Sequence, residues 1–222
     1  MKKLVIFGTG DIARLAHFYF TRDSEREVAA FTVDREYRSA DSLWGLPLVE
    51  FETVKERFPP SEHELFVAVS YRRMNRLRAE RYRAAKDLGY TLVNYVSSRC
   101  TFLTDTPTGD NCFILENNTV QPFVTIGSNV TLWSGNHIGH DTVIEDHCFL
   151  ASHIVVSGHC RVGAYSFIGV NATLRNGITV APESLIGAGA LVMKDTAPKG
   201  VYLPTRTKLF KKKSDQLDLW MK

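Results

Sequence analysis

The fold is decided by a six-residue period, visible in residues 120–144, VQPFVTIGSNVTLWSGNHIGHDTVI, where every sixth residue is Val, Ile or Leu. The same interval continues in both directions, and most positions four residues after each aliphatic residue are small or apolar. A fixed period of this kind is the signature of a repeat protein. The aliphatic positions are Ile114, Val120, Ile126, Leu132, Ile138, Ile144, Leu150, Val156, Val162, Ile168, Leu174, Val180, Ile186 and Val192.

The repeat predicts a solenoid in which each unit is a short flat strand followed by a turn. Three units form one triangular coil of about 18 residues, the aliphatic residue points inward, and neighbouring coils bury one another. Cys148 and Cys160 fall at inward small-residue positions, so we expect them to fill the core and not to act as nucleophiles. Glycines follow several aliphatic positions, where we expect little room for a side chain or unusual backbone angles. These are Gly127, Gly139, Gly163, Gly169 and Gly187.

The first hundred residues alternate between strand-like and helix-like segments. Residues 4–7, 28–33, 65–69 and 91–96 are predicted strands, and residues 11–20 and 75–88 are predicted helices. This alternation favours a small parallel α/β sheet of Rossmann-like type. We therefore expect an α/β domain over residues 1–97, a β-helix over residues 98–205 and a tail over residues 206–222.

The composition excludes several classes of protein. The chain has 222 residues, and its formal net charge of +3 is too small to indicate a nucleic-acid or membrane-binding surface. No apolar run approaches the roughly 18 to 20 residues that span a bilayer. The four cysteines form no C-x-x-C pair. We expect a cytoplasmic protein with reduced thiols, no nucleic-acid partner and no membrane insertion.

Five of the seven histidines lie within residues 137–159, and two kinds of site fit them. His137 and His140 would supply half of a zinc site, but Cys148 and Cys160 occupy inward positions, so we expect no metal. In the other interpretation, His140 lies near a coil corner as a general base. Asp141 follows it directly, and its carboxylate would fix the ring tautomer and stabilise the imidazolium.

Counting one coil forward from His140 leads to Gly158, whose backbone N–H would lie one layer away and stabilise an acyl oxyanion. The alternative for the histidines of this segment is that they are solvent-facing turn residues. We expect that simpler role for His147 and His159.

Residues 134–141, SGNHIGHD, together with the α/β domain and the later GVNA (169–172) and IGAGA (186–190), resemble the sialic-acid O-acetyltransferase family of sugar acyltransferases. That family also includes N-acetyltransferases of nucleotide-linked amino sugars. The resemblance implies a left-handed parallel β-helix, a homotrimer, acetyl-CoA lying between the β-helices of neighbouring subunits, and a nucleotide-linked sugar held by the amino-terminal domain.

Residue by residue, the resemblance implies His140 as catalytic base and Asp141 as its acidic partner. It implies backbone contacts from Gly158 to the thioester carbonyl and from Ala188 to the pantetheine arm, and Asn136 in the same motif is expected to contact substrate. The chain also departs from the family. Phe149 stands where some members have a second histidine, and residues 201–206, VYLPTR, replace the usual Gly-x-Pro-Ala-Lys near the adenine end of the coenzyme.

Gly8, Gly10 and Asp34 form the candidate substrate site of the amino-terminal domain. A dinucleotide-binding domain would show the same Gly-x-Gly-x-x-Ala turn and acidic residue, but about 100 residues make only half of one. The resemblance instead implies a nucleotide-sugar pocket, with the two glycines permitting close approach and Asp34 binding the base or ribose. A glycine turn and a surface Asp cap remain the alternative.

Two basic segments complete the candidates. Residues 71–76, YRRMNR, would open a helix near a diphosphate or would simply be solvated. Residues 208–213, KLFKKK, would touch the phosphates of coenzyme A or would also be solvated.

These observations predict transfer of an acetyl group from acetyl-CoA to the amine of a nucleotide-linked amino sugar in glycan biosynthesis. The alternatives are O-acetylation of a sugar hydroxyl and a non-catalytic β-helix binding module.

Overall fold

The structure, a computed structural model, describes residues 2–211, 213 and 214. It consists of an amino-terminal α/β unit followed by a left-handed parallel β-helix, which confirms the fold that the family resemblance implies. Residues 212 and 215–222 of the predicted tail lie outside the described residues.

The α/β unit contains one five-stranded sheet with the order β3-β4-β2-β1-β5. All neighbouring strands are parallel except β3 and β4, which form an antiparallel hairpin. The elements are β1 (Lys3–Phe7), α1 (Asp11–Arg22), β2 (Val28–Val33), β3 (Ser42–Leu43), β4 (Leu46–Glu50), α2 (Val54–Arg57), β5 (His63–Val67) and α3 (Arg76–Asp87), with 3-10 turns at Arg35–Tyr37 and Phe51–Thr53.

The prediction that residues 91–96 form a fourth strand of this sheet is wrong. Leu92 makes only an isolated bridge to Leu65, and the two-residue strand Tyr95–Val96 pairs with Phe113–Ile114 of the β-helix. The sheet is completed instead by β3 and β4, which the sequence analysis missed. These strands are short and β4 contains Pro47, so their apolar pattern is weak.

The β-helix has three faces built from two-residue strands, and each strand pairs mainly with the strand 18 residues later. Face 1 consists of Tyr95–Val96, Phe113–Ile114, Thr131–Leu132, Phe149–Leu150, Phe167–Ile168, Leu185–Ile186 and Val201–Tyr202. Face 2 consists of Thr101–Phe102, Thr119–Val120, His137–Ile138, Val155–Val156, Thr173–Leu174 and Leu191–Val192. Face 3 consists of Thr125–Ile126, Val143–Ile144, Arg161–Val162 and Thr179–Val180.

The interior of the β-helix confirms the six-residue register. Every predicted aliphatic position is the second residue of a strand and is buried. Cys148 and Cys160 are also buried, and burial raises the pKa of the Cys148 thiol to about 12, so it is a poor nucleophile at neutral pH. The four cysteines form no disulfide.

A second six-residue pattern sets the corners. Every sixth residue from Asn111 to Gly189 has a left-handed backbone, with φ between 55° and 80°. Most are Asn, Asp, His or Gly, the residue types that tolerate this region best. His147, His153 and His159 are three of these corner residues, which explains much of the histidine cluster.

The glycines that follow the aliphatic positions have another cause. At Gly139 and Gly169 the backbone is not left-handed, but a Cβ would lie 2.5 Å from the backbone nitrogen of Gly158 and Ala188, respectively, in the next coil. Close packing between coils, and not unusual backbone angles, therefore requires these glycines.

Helix α3 fastens the α/β unit to face 1. The guanidinium of Arg78 is buried and donates to Thr131 Oγ1 (2.8 Å), to the carbonyls of Cys148 (3.0 Å) and His147 (3.2 Å), and to Asn75 Oδ1 (3.3 Å). Burial lowers the Arg78 pKa only to about 10, so the group stays charged at neutral pH. The two parts of the chain are thus joined by a buried, charge-assisted hydrogen-bond network.

Replacing Arg78 with Met should destabilise the protein by about 2–4 kcal/mol, because two buried carbonyls and a hydroxyl each lose the charge-assisted hydrogen bond that Arg78 donates, while the apolar stem is kept. Thermal unfolding of the two proteins measures the difference. Arg76→Met is the matched control: Arg76 lies on the same helix and pairs with Glu183 at a half-exposed site, so the cost should stay below about 1 kcal/mol. Equal losses would contradict the assigned role of Arg78.

His147 belongs to a buried ladder that also joins the two parts. Asn111 hydrogen-bonds the backbone of Val67 at the end of β5 and donates to Asn129 Oδ1 (2.8 Å), and Asn129 Nδ2 donates to His147 Nδ1 (2.9 Å). His147 is therefore neutral with its proton on Nε2. Burial lowers its pKa from 6.5 to about 4, and it is not the solvent-facing residue that we expected.

The ladder predicts a pH dependence of stability. His147 binds a proton more tightly in the unfolded chain than in the folded protein. The part of the free energy of unfolding that neutral His147 contributes is therefore fully present above pH 6.5 and is lost as the pH falls toward 4. The loss should reach up to about 3 kcal/mol. His147→Asn keeps a residue that tolerates the left-handed corner and should remove this part of the pH dependence in urea unfolding. His153→Asn, at an exposed corner, should leave it unchanged, and a pH dependence that survives in His147→Asn would contradict the prediction.

Among residues 2–211, 213 and 214, the helices are all too short or too polar to cross a lipid bilayer.

Candidate functional site

His140 and Asp141 form a dyad at an exposed corner of the β-helix. His140 Nδ1 lies 2.8 Å from Asp141 Oδ2, and both side chains are roughly half exposed. Because an ionised carboxylate only accepts hydrogen bonds, Nδ1 carries the proton and Nε2 keeps its lone pair. The pair has the protonation and orientation that a general base requires.

The local backbone explains how the dyad is held. His140 follows the strand His137–Ile138, its N–H donates to Gln121 Oε1 (2.9 Å), and Asp141 takes the left-handed corner conformation. The turn therefore directs the two adjacent side chains toward each other, although residues i and i+1 on a regular strand point to opposite sides.

Gly158 lies one coil away, directly against the ring of His140, as predicted. A Cβ at this position would be 2.7 Å from His140 Nε2. Corner N–H groups at the same repeat position are capped in other coils, as Gln121 caps His140 and Glu145 caps Ala164. The capping side chain comes from 19 residues earlier in both cases, and for Gly158 that position is Gly139, which has no side chain. Within the described chain the Gly158 N–H therefore has no hydrogen-bond partner.

Ala188 repeats this arrangement at another corner. Its capping position, 19 residues earlier, is Gly169, which has no side chain. Within the range that the structure describes, the N–H of the exposed residue Ala188 is also without a partner. Beside it lies a cavity of about 860 Å³, lined by residues 189–195 and 201–205. Its walls include the exposed side chains of Leu191, Met193 and Leu203. The departure from the family pattern at residues 201–206 thus falls on this cavity.

Ala188 does not lie near His140 within one chain. Following one coil, the chain passes from face 1 (Thr131–Leu132) to face 2 (His137–Ile138) and then to face 3 (Val143–Ile144). His140 is at the corner between faces 2 and 3, whereas Ala188 is at the corner between faces 1 and 2. A ligand that touches both residues must therefore bridge two chains or reach across face 2.

The predicted substrate residue Asn136 has a structural role instead. Its side chain is buried, donates to the Trp133 carbonyl (2.6 Å) and accepts from the Ile154 N–H (2.8 Å). Its backbone N–H donates to Asn118 Oδ1 (3.2 Å), one coil earlier. Asn136 belongs to an internal asparagine ladder, so it does not face substrate. Its place inside the SGNHIGHD motif had suggested otherwise.

Gly8, Gly10 and Asp34 lie together at the carboxyl ends of β1 and β2. Gly8 has φ of 126° and its Cβ would meet the Ala68 carbonyl oxygen at 2.6 Å, so only glycine fits there. Gly10 is the residue before α1. The carboxyl ends of parallel strands are where open α/β sheets bind ligands.

Asp34 is less accessible than the sequence suggested. Its Oδ2 lies 3.1 Å from Arg81 Nε of α3, and its side chain is largely buried. Burial raises the pKa of the carboxyl group, and the positive charge of Arg81 opposes that shift. The structure thus adds Arg81 to this site, a residue that sequence reasoning missed because the pairing joins β2 to a helix 47 positions away along the chain.

Phe149, at which the family resemblance implied a departure, is buried on face 1. Tyr71 packs against it with ring centroids 5.0 Å apart, and the Arg78 guanidinium lies over its ring. It supplies no polar atom. Tyr71 and Asn75, in the predicted basic segment 71–76, contact the β-helix, since Asn75 Nδ2 donates to the Tyr165 carbonyl (3.1 Å).

Comparison with known proteins agrees with this fold. Residues 108–140 match the family described as bacterial transferase hexapeptide (six repeats). Among curated proteins, an acyl-[acyl-carrier-protein]–UDP-N-acetylglucosamine O-acyltransferase from Stutzerimonas stutzeri is 31% identical over 71 residues, which are 32% of this chain and 28% of that protein. The chain thus spans less than a third of the length of that relative.

Two solved structures share nearly the whole fold. One is a variant of perosamine N-acetyltransferase from Caulobacter crescentus in complex with CoA and GDP-perosamine, with a TM-score of 0.82, 23% identity, and 92% of this chain and 94% of that chain covered. The other is the acetyltransferase domain of PglB from Neisseria gonorrhoeae, with a TM-score of 0.78, 21% identity, and 92% and 97% covered. Residues 108–140 are thus transferase hexapeptide repeats, in a chain with the two-part architecture of these structures.

Proposed function

We propose that this chain, which carries the repeats of the bacterial hexapeptide transferases, transfers an acetyl group from acetyl-CoA to the amine of a nucleotide-linked amino sugar. The observation that carries the proposal is the exposed His140–Asp141 pair, with the lone pair on Nε2 and, one coil away, the Gly158 N–H, for which the described residues offer no hydrogen-bond partner. The whole-chain likeness to an enzyme bound to CoA and GDP-perosamine supports the choice of co-substrates.

The reaction needs one proton acceptor and no covalent enzyme intermediate. The neutral amine attacks the thioester carbonyl, His140 Nε2 takes the amine proton, and Asp141 stabilises the resulting imidazolium. The tetrahedral oxyanion collapses with cleavage of the C–S bond, and the proton on His140 passes to the departing CoA thiolate. The products are an N-acetylated sugar nucleotide and CoA. The Gly158 N–H is suited to stabilise the oxyanion.

The remaining residues are assigned to binding. The Ala188 N–H is proposed to contact the pantetheine arm, and the adjacent 860 Å³ cavity, which Lys194 borders, offers space for the rest of the coenzyme. Gly8, Gly10 and Asp34, with Arg81, are proposed to hold the nucleotide. Residues 208–211 and 213 are exposed, so a contact of the basic tail with CoA phosphates remains a prediction.

The assembly proposed is a homotrimer with each site formed between chains. The α/β unit packs on face 1 through Arg78 and Tyr71, whereas His140 lies at the corner that face 1 does not border. A sugar nucleotide held by one chain is therefore better placed for the His140 of a neighbour in a closed ring. A fully active monomer near 25 kDa in light scattering would contradict this.

The direct test of function is a panel of nucleotide-linked sugars, with and without an amino group, incubated with acetyl-CoA. We expect CoA thiol release and the gain of one acetyl group only with amino sugars, and the product should resist hydroxylamine because it is an amide. A hydroxylamine-sensitive product would indicate O-acetylation. A binding module would be favoured if no thiol were released from acetyl-CoA with any sugar of the panel and none from an acylated acyl carrier protein offered as the donor instead.

Mixed trimers test whether sites form between chains. Asp34→Ala should raise KM for the sugar nucleotide with little effect on KM for acetyl-CoA, and His140→Ala should be inactive. If the two residues act in one site from different chains, co-refolded trimers of both variants contain intact sites and regain activity at low sugar-nucleotide concentration. No gain over the Asp34→Ala trimer alone would show that each site lies within one chain.

A further inference from the structure

Asp141 faces a second imidazole, that of His159 in the next coil. His159 Nε2 lies 3.9 Å from the same oxygen, Asp141 Oδ2, that accepts from His140 Nδ1. The rings of His140 and His159 meet edge to face, with centroids 4.9 Å apart. One carboxylate oxygen is therefore placed between two histidines.

The fold fixes this arrangement. His159 is 18 residues after Asp141, so the two occupy equivalent left-handed corners in successive coils, with φ of 56° and 58°. The His159 N–H donates to the His140 carbonyl (2.9 Å), which ties the second corner to the first. In the next coil the equivalent residue is Gly177, which has no side chain to compete for His159.

We propose that His159 is a positioning residue, which donates from Nε2 to Asp141 and thereby holds the carboxylate against His140 Nδ1. This inference rests on the proposed role of His140 as the base. Asp141 sits on an exposed corner and is free to rotate toward solvent, and an N–H donor from the next coil restricts that rotation. The 3.9 Å separation closes to hydrogen-bond distance with a small side-chain rotation, as expected for a catalytic contact that tightens when substrate binds.

The test compares His159→Asn, which tolerates the left-handed corner but is too short to reach Asp141, with His159→Gln, whose amide has the reach to donate there. We expect His159→Asn to lower kcat about three- to tenfold with both KM values unchanged, and His159→Gln to restore at least half of the wild-type kcat. His153→Asn is the matched control, an exposed corner histidine six residues earlier. Its kcat should equal that of the wild type.

A double-mutant cycle separates this role from others. In an Asp141→Asn background the His159→Asn change should have little further effect, because His159 acts through the carboxylate. The proposal would be overturned if the two changes lowered kcat independently, so that their effects multiplied, or if KM for either substrate rose. It would also be overturned if EDTA abolished the difference in kcat between His159→Asn and the wild type, because His140, Asp141 and His159 could also hold a metal ion. If His140→Ala itself keeps its activity, the proposed base is wrong. If only the His159 variants behave as wild type, this inference alone fails.

Discussion

A protein with His140 replaced by alanine is expected to keep its fold and lose about two to four orders of magnitude in kcat, the usual contribution of a positioned general base. The His140 side chain is half exposed and stabilises the fold little, so the free energy of unfolding should change by less than about 1 kcal/mol. KM for acetyl-CoA should stay roughly the same, because the proposed coenzyme contacts at Gly158 and Ala188 are made by the backbone. Steady-state kinetics with a thiol reagent measure both constants.

The controls follow from the geometry of the dyad. Asp141→Asn should cost less than His140→Ala, because it leaves the imidazole in place and changes only its orientation and charge support. A folded His140→Ala trimer that keeps more than about a third of wild-type kcat would end the assignment. His137 and His153 would then be the next candidates.

The second large effect is expected from a single methyl group. In Gly158→Ala the new Cβ would lie 2.7 Å from Nε2 and 2.8 Å from Cε1 of His140, so the imidazole must move away from its present position. A displacement of about 1 Å at a reacting group costs about a hundredfold in rate. We therefore expect kcat to fall by about one to two orders of magnitude.

Stability should change little in this variant, which separates it from a folding defect. Ala164 and Ala188 occupy the same repeat position, so the backbone there accepts a Cβ, and Gly158 does not have a left-handed φ. Ser152→Ala, at the equivalent position one corner earlier, is the control and should be active. A Gly158→Ala enzyme with wild-type kcat would show that the ring of His140 is not held where the structure places it.

The sequence repeat determines the β-helix but not how the α/β unit docks on it. The six-residue register of the β-helix was readable because each unit meets the same surroundings, so one aliphatic position recurs in one environment. The 18-residue coil correctly placed Gly158 beside His140. The same 18-residue spacing places His159 beside Asp141, and the corner pattern of Asn, Asp, His and Gly is equally present in the sequence.

Sequence alone therefore determined the solenoid, its inward residues and the adjacent pair His140–Asp141, since these depend on local repetition and on neighbours along the chain. Only the tertiary structure decided that Asn136 and His147 are internal ladder residues, that Asp34 pairs with Arg81, and that α3 covers face 1. The contacts of Asp34 and Arg78 depend on how a non-repeating α/β unit docks, and they join residues with no period linking them, so no spacing in the sequence encodes them. The ladder contacts of Asn136 and His147 do follow the 18-residue coil, but the period does not determine whether a polar side chain points into the β-helix or toward solvent.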